Sequence, residues 1–177
     1  MSQDETHDMI RGWFTGRLPE TWSAGPADIA VDREEITVRL SIPDVAVAEG
    51  ASPAELAEAR AGRAKAFRED TREARMAIAR EAEHRYGRKV SWGARLGEGE
   101  DAYAELWTHL STPVMTRLRQ PQRQVLDTLV DAGVARSRAE ALAWCVRLVG
   151  QHEGDWLADL RDATDRVAGV RAKGPAA

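Results

Sequence analysis

The sequence predicts an α+β protein in which a small antiparallel sheet with one long helix precedes a helical region. Two segments, 29–42 and 88–96, alternate apolar and polar residues, which is typical of half-buried strands. Between them, residues 53–86 carry helix start and stop signals at their two ends. Beyond residue 100, apolar residues recur at helical spacing. Together these patterns favour an α+β fold.

The strand segments place their apolar residues on one face. Asp32-Arg33-Glu34 is a candidate hairpin turn that separates residues 29–31 from the strand at 36–42. We also expect a strand at 10–18, although Gly12 and Gly16 weaken this prediction. The inward-facing residues of the two main strands are Ile36, Val38, Leu40 and Ile42, followed by Val90, Trp92, Ala94 and Leu96.

A single helix is predicted over residues 53–86. Ser52 can cap it, Pro53 suits the first helical position, and Glu55 lies three residues after the cap. Gly87 provides the stop, because glycine readily adopts the left-handed conformation that ends many helices. The apolar stripe along this helix is narrow, which indicates packing against one limited surface.

The glycine-rich stretch 97–100 is the predicted domain boundary. It divides an α+β domain at 10–96 from a helical region at 101–170. In the second region we expect a short amphipathic helix over 102–110, two helices between 114 and 150, and a further amphipathic helix over 155–170.

Composition limits the compartment and the partners. The chain has 177 residues, a net charge of −4 and one cysteine. It has neither an apolar run long enough for a membrane span nor a signal-peptide pattern, so we expect a cytoplasmic protein without a membrane partner. Charge is unevenly distributed, since residues 60–95 hold eleven basic against five acidic residues, and residues 113–147 hold six against three.

No motif indicates catalysis. The sequence lacks a nucleophile elbow, a phosphate-binding glycine loop and a dinucleotide fingerprint. None of the four histidines has a second histidine or a cysteine at metal-binding spacing, and Cys145 has no identifiable activating base. We therefore expect no enzyme activity, no cofactor and no bound metal.

Residues 114–149 are predicted to form two helices joined by a short turn. Gly133 suits the end of the first helix, and Ser137 with Glu140 three residues later forms a capping box for the second. The predicted buried residues are Leu126, Leu129 and Val130 on the first helix, and Leu142, Cys145, Val146 and Val149 on the second.

This segment resembles the ribbon-helix-helix family of DNA-binding proteins. The matching features are Arg117-Leu118, Leu126-Asp127, the run from Leu129 to Gly133, Ser137-Arg138 and Glu140-Ala141. The resemblance implies a homodimeric, sequence-specific DNA-binding protein that regulates transcription, in which two copies pair their strands into a ribbon lying in the major groove of double-stranded DNA. Over its whole length the chain also looks like an actinobacterial family of uncharacterised proteins.

The same resemblance assigns roles by position. With Val114, Thr116 and Leu118 facing inward, the residues that face the DNA bases are Met115, Arg117 and Arg119. The residues that contact phosphate, at the start of the second helix, are Arg136, Ser137 and Arg138.

Two alternatives remain open from the residues alone. Ser111-Thr112-Pro113 is itself a helix start, so residues 113–119 could form a helical turn instead of a strand. The alternative function is a protein-interaction or structural module without catalytic activity, in which the C-terminal helices serve only as a dimer interface.

Overall fold

The computed structural model describes residues 3–99 and 101–173. It divides the chain into two compact units, with the division between Pro113 and Val114. The predicted boundary at 97–100 instead falls inside the first unit, between two paired strands, and Glu100 lies outside the described residues.

The first unit is α+β, as the sequence predicts. A short 3-10 turn, Glu20–Trp22, follows its first helix. Its helices and strands are α1 (Gln3–Arg17), β1 (Asp28–Val31), β2 (Glu35–Ser41), α2 (Pro53–Asp70), α3 (Arg72–Tyr86), β3 (Lys89–Leu96) and β4 (Tyr103–Leu106).

The four strands form one sheet in the order β1-β2-β3-β4. The two outer pairs are antiparallel, whereas β2 and β3 are parallel, with Ile36 opposite Val90 and Leu40 opposite Ala94. A parallel pair needs a long crossover, and here α2 and α3 supply it. The sheet is therefore mixed: the predicted antiparallel arrangement holds for the two outer pairs and does not hold for β2 and β3.

The turn between β1 and β2 lies where the sequence predicts it. The Asp32 carboxylate accepts hydrogen bonds from the backbone N–H groups of Glu34 (2.8 Å) and Glu35 (2.7 Å). A short acidic side chain can mimic a backbone turn in this way, which explains why the chain reverses at this point.

The predicted strand at 10–18 is a helix, α1. Ile10 and Phe14 are both fully buried and lie four residues apart, which places them on one face of a helix. The two glycines do not prevent the helix, because burial of this apolar face outweighs their low helix propensity.

The predicted helix 53–86 is interrupted at Thr71, which separates α2 from α3. The Thr71 hydroxyl donates to the Phe67 carbonyl at 2.6 Å, a bond that competes with the regular helix ladder. Both predicted ends are confirmed. The Ser52 hydroxyl accepts from the Glu55 N–H at 3.1 Å, and Gly87 has a φ of 66°.

The predicted helix over 102–110 is also wrong, because residues 103–106 form β4 against β3. Gly93 permits the close approach of the two strands, since a Cβ at this position would lie 2.6 Å from the Glu105 carbonyl oxygen. The Trp107 N–H extends the pairing by donating to the Trp92 carbonyl at 2.7 Å. Pairing with a long neighbouring strand overrides the local helical pattern.

The core of the first unit lies between one face of the sheet and its three helices. Phe14 of α1, Ala64 of α2 and Ile78 of α3 pack over the strand residues that the alternation predicted. Each of those strand residues is buried: Ile36, Val38 and Leu40 on β2, Ile42 just beyond it, and Val90, Trp92, Ala94 and Leu96 on β3.

The second unit is helical: α4 (Gln120–Asp131), α5 (Arg138–His152) and α6 (Gly154–Lys173). Among its described residues only Leu126, Ala135 and Ala141 are buried apolar side chains. A single chain therefore gives this unit a small core. No helix in the described part of the chain is both long enough and apolar enough to cross a membrane.

Candidate functional site

The segment immediately before α4, residues 114–119, belongs to no helix, strand, turn or bend, and its last residue, Arg119, has an extended backbone with φ −79° and ψ 167°. Val114 and Met115 expose 86% and 95% of their surface, whereas Leu118 is half-buried against the small core of the second unit. Arg117 and Arg119 are exposed. The helical alternative for 113–119 is thus wrong. Of the three residues predicted to face inward only Leu118 is partly covered in a single chain, whereas Val114 and Thr116 are exposed.

The backbone of this segment is available for pairing. Among the residues that the structure describes, the N–H and carbonyl groups of Val114 through Arg117 have no hydrogen-bond partner. An extended stretch with unpaired polar groups can accept another strand along its edge.

The end of the segment is fixed to the start of α4. The Arg119 N–H donates to Gln122 Oε1 at 2.8 Å, and Arg123 Nη1 donates to the Leu118 carbonyl at 2.7 Å. These two bonds satisfy backbone groups at the chain entry into the helix. They also hold the direction in which Leu118 and its neighbours leave α4.

The turn between α4 and α5 follows the predicted signals. Gly133 has a φ of 73°, and the Val134 N–H donates to the Leu129 carbonyl at 2.9 Å, which closes the end of α4. At the start of α5 the Ser137 hydroxyl accepts from the Glu140 N–H at 3.2 Å, and the Glu140 carboxylate accepts from the Arg136 N–H at 2.8 Å. The capping box therefore extends by one residue towards Arg136.

An ion pair crosses this turn. Arg138 Nε and Nη2 donate to the two carboxylate oxygens of Asp127 at 2.6 and 2.7 Å. The hydrogen bonds from Arg138 hold the pKa of the Asp127 carboxyl below its usual range, and the same contact raises the pKa of the guanidinium. The Arg138 guanidinium, which was predicted to contact phosphate, is therefore already bound to the Asp127 carboxylate.

A groove of about 350 Å³ runs between the extended segment and α5. It brings Met115, one of the predicted base-contact residues, to the same surface as Arg138, one of the predicted phosphate-contact residues. Its remaining lining is largely apolar: Val114, Thr116, Leu118, Arg123, Leu126, Ala139 and Leu142.

All nine arginines of the second unit are exposed, and four of them remain at this site once those on α4 and α6 and the paired Arg138 are set aside. In the described part of the chain, none of these four is within ion-pair distance of a carboxylate. They are Arg117, Arg119, Arg136 and Arg147. Ser137, in contrast, uses its hydroxyl as a helix cap, so the predicted phosphate site consists of the Arg136 side chain and the first amides of α5.

Part of the predicted apolar face of α5 is uncovered. Leu142 and Cys145 pack at the edge of the small core, as predicted. Val146 and Val149, predicted to be buried, expose 66% and 47% of their surface. The helix period identified this face correctly, but a single chain does not provide enough partner residues to cover it.

Sequence reasoning missed Asp127 as the partner of Arg138, and it identified Glu140 in the capping box without assigning it to the Arg136 amide. Asp127 and Arg138 lie eleven residues apart on different helices, a separation that no local pattern links. The spacing of Ser137 and Glu140 could have suggested the second contact, because the acidic residue of a capping box reaches back along the chain.

Two grooves of the first unit, of about 670 and 660 Å³, share Arg60. Its guanidinium donates to the Asp44 carboxylate at 2.9 and 2.6 Å and to the Asp101 carbonyl at 2.9 Å. These bonds tie α2 to the loop after β2 and to the residues before β4. Arg60 therefore has a structural role between the grooves.

Models of known protein families match both units. The model of the Rv1265-like protein N-terminal domain matches residues 8–102, and that of the Mb1296 C-terminal domain matches residues 119–171. The first match covers most of the α+β unit, and the second covers the helical unit. No solved structure matches the chain.

Relatives extend this assignment over nearly the whole chain. Uncharacterised proteins Mb1296 of Mycobacterium bovis and Rv1265 and MT1303 of two Mycobacterium tuberculosis strains are each 58% identical over 164 residues, covering 92% of this chain and 69% of the relative. The protein is therefore an α+β protein with a separate helical unit, and it belongs to the Rv1265-like family.

The resemblance to the ribbon-helix-helix family was wrong. The residues that suggested it lie mostly within the match to the Mb1296 C-terminal domain, and no ribbon-helix-helix model matches the chain. The signals behind it, a glycine stop followed by a capping box, occur wherever two helices are joined by a short turn, so they do not identify a family.

Proposed function

We propose that the second unit is a homodimeric, sequence-specific DNA-binding module and that the protein regulates transcription. The observation that carries this proposal is the extended segment 114–119, whose backbone is unpaired from Val114 to Arg117 and whose Arg117 and Arg119 are exposed and outside any described ion pair. The proposal relies on this geometry and on no family likeness.

A second copy would supply what one chain lacks. The core of the unit is small, and Val146 and Val149 on α5 are exposed together with Val114 and Met115 on the extended segment. Antiparallel pairing of the segment with its counterpart would satisfy the free backbone groups of alternate residues, those on the paired edge of each copy. Burial of the neighbouring apolar side chains would then favour the dimer by about 25 cal/mol per Å².

Pairing of the two segments would produce a two-stranded ribbon narrow enough for the major groove. Leu118 faces the core of its own unit, so Arg117 and Arg119 lie on the opposite face, where guanidinium groups could reach guanine edges. Met115 would add an apolar contact beside them. These residues would determine which sequence is bound.

Phosphate binding is assigned to the start of α5. The side chain of Arg136 is free of carboxylates among the described residues, and the first two amides of the helix, those of Arg138 and Ala139, have no described acceptor. Such amides and the positive end of the helix dipole favour anions. Ser137 caps the helix and Arg138 pairs with Asp127, so both would position these amides.

The alternative is a module that dimerises without binding DNA. The ion pair of Arg138 with Asp127 and the contact of Glu140 with the Arg136 amide favour it, because both place a carboxylate near the proposed phosphate site. Dimerisation is common to the two proposals, so only an experiment with nucleic acid separates them.

The proposal includes no catalytic role. It places the protein in the cytoplasm, where DNA is accessible and where the free thiol of Cys145 stays reduced. No group of three or more metal-ligating side chains comes together in the part of the chain that the structure describes.

Selection from a random-sequence duplex library, followed by fluorescence anisotropy at several salt concentrations, tests the proposal. We expect affinity to fall steeply with salt, because bound counterions are released from the phosphates. Arg117→Ala should reduce the preference for the selected sequence about tenfold or more, and Arg136→Ala should weaken binding to all duplexes and lower the salt slope by about one.

Arg63→Ala provides the matched control, because Arg63 is an exposed arginine on α2 of the first unit and lies outside the proposed DNA-binding module. It should leave affinity and sequence preference unchanged. Absence of duplex binding at low salt by a chain that sediments as a dimer would contradict the proposal and favour the interaction module.

A further inference from the structure

Helix α6 carries an apolar stripe with the repeat of a coiled coil. Its members follow one another at intervals of four, three, four and three residues: Trp156, Leu160, Ala163, Val167 and Val170. Two intervals sum to seven, so the stripe stays on one side of the helix over its length, as the seam of two supercoiled helices requires.

The stripe is uncovered in a single chain. Trp156, Leu160 and Val167 expose 55%, 44% and 50% of their surface, and Val170 exposes more. The core of the second unit, as far as the structure describes it, includes no residue of α6. A row of large apolar side chains in water is unfavourable and marks an interaction surface.

Charges beside the stripe identify what covers it. Asp159 and Arg166 flank the same side of the stripe, seven residues apart, each immediately before an apolar member. When two such helices pair antiparallel, the side of the stripe that carries Asp159 and Arg166 on one helix lies next to the same side of the other helix. Asp159 of each copy therefore faces Arg166 of the other. Parallel pairing would instead bring Arg166 towards Arg171 of the second copy, which places like charges together.

We propose that α6 pairs with α6 of a second copy as an antiparallel coiled coil. In this register Trp156 faces Val167, Leu160 faces Ala163, and the two-fold axis passes close to Arg161. The sequence of α6 is thus complementary to itself in both its apolar and its charged positions. DNA plays no part in this pairing, so its test is independent of the proposed DNA binding.

Spin labels on the full chain test the arrangement. In a Cys145→Ser background, single cysteines replace Arg161 near the axis and Arg171 near the end of α6. Antiparallel pairing predicts a short distance between the two labels at 161, and labels at 171 displaced along the helix by about 28 Å, from a rise of 1.5 Å per residue. Equal short distances at both positions would show parallel pairing, and no short distance at 161 would show no pairing. Both outcomes overturn the proposal.

Charge reversal supplies a second, independent test on the chain labelled at 161. Asp159→Arg places two arginines together at each end of the contact, and Arg166→Asp places two aspartates there. Each should reduce the short-distance population, whereas the double variant Asp159→Arg/Arg166→Asp should restore it. Asp165→Arg, on the face away from the stripe, is the matched control and should have no effect. Circular dichroism establishes that each variant keeps its helix, and single reversals without effect in helical chains would overturn the charge argument.

Discussion

The guanidinium of Arg138 donates two hydrogen bonds to the carboxylate of Asp127, at 2.6 and 2.7 Å, and thereby joins the first turn of α5 to the middle of α4. The paired geometry matches the fork of the guanidinium to the two carboxylate oxygens. Because the core of this unit is small, such a polar connection helps to set the angle between the two helices.

We expect the pair to be coupled in its effect on stability. Asp127→Asn and Arg138→Gln should each lower the melting temperature, and the double variant should lower it by less than the sum, because the first substitution already removes the interaction. Thermal unfolding, followed by circular dichroism, gives the melting temperatures of the wild type, the two single variants and the double variant. Additive effects would show that the two residues act independently.

The same pair predicts a dependence on pH. Arg138 holds the pKa of Asp127 below its ordinary value of 3.8, so the folded state favours the ionised carboxylate. The resulting stabilisation is fully present above pH 3.8 and is lost as the pH falls through the lower pKa of the folded state. Carboxyl NMR titration should show this depressed pKa in the wild type and its return towards 3.8 in Arg138→Gln.

Arg75 is a buried cation without a carboxylate partner among the described residues. It donates to Thr71 Oγ1 at 2.9 Å and to the Arg68 carbonyl at 2.6 Å, and its guanidinium lies 4.7 Å from the centre of the Trp107 ring. Burial, with a smaller contribution from Arg68 and Arg72, lowers its pKa to about 10.

Arg75→Lys should destabilise the protein by about 2 kcal/mol, because lysine keeps the buried charge but lacks the planar fork that reaches two acceptors and stacks on tryptophan. Arg75→Met should cost less, since it removes the charge as well as the hydrogen bonds. Urea denaturation measures both variants. Equal stability of Arg75→Lys and the wild type would contradict the role assigned to the guanidinium.

Gly93 should not tolerate a side chain. Gly93→Ala places a methyl group 2.6 Å from the Glu105 carbonyl, so β4 must move, at a cost of about 1–3 kcal/mol. Gly62→Ala is the matched control, because Gly62 is exposed on α2 with open space around it. This control should raise stability by about 0.5–1 kcal/mol. Equal effects of the two substitutions in urea denaturation would contradict the close approach of β4.

Local signals predicted the fold where chemistry acts over a few residues. Asp32 marks its turn, Ser52 and Gly87 mark helix ends, and the alternation around Trp92 marks a buried strand. Each of these features depends on neighbours within about four positions in the sequence. The prediction of an α+β class was confirmed because it depends on such signals.

The helices and strands that the sequence did not predict depend on tertiary contacts between residues far apart in the chain. Residues 103–106 are a strand only because β3 lies beside them, and the direction of β3 depends on the crossover through α2 and α3. At the candidate site, Arg138 was correctly placed at the helix start, but its partner Asp127 lies on another helix. Contacts between distant positions cannot be read from spacing in one sequence.

The central claim is that residues 114–117 of two copies pair along their backbones. Amide hydrogen exchange of this segment, measured over a range of protein concentrations, tests it most directly. Pairing predicts slow exchange at alternate residues, either Val114 and Thr116 or Met115 and Arg117, that becomes faster on dilution, although Val114 and Met115 are 86% and 95% exposed in a single chain. Exchange at the rate of an unstructured peptide at every concentration would contradict the claim.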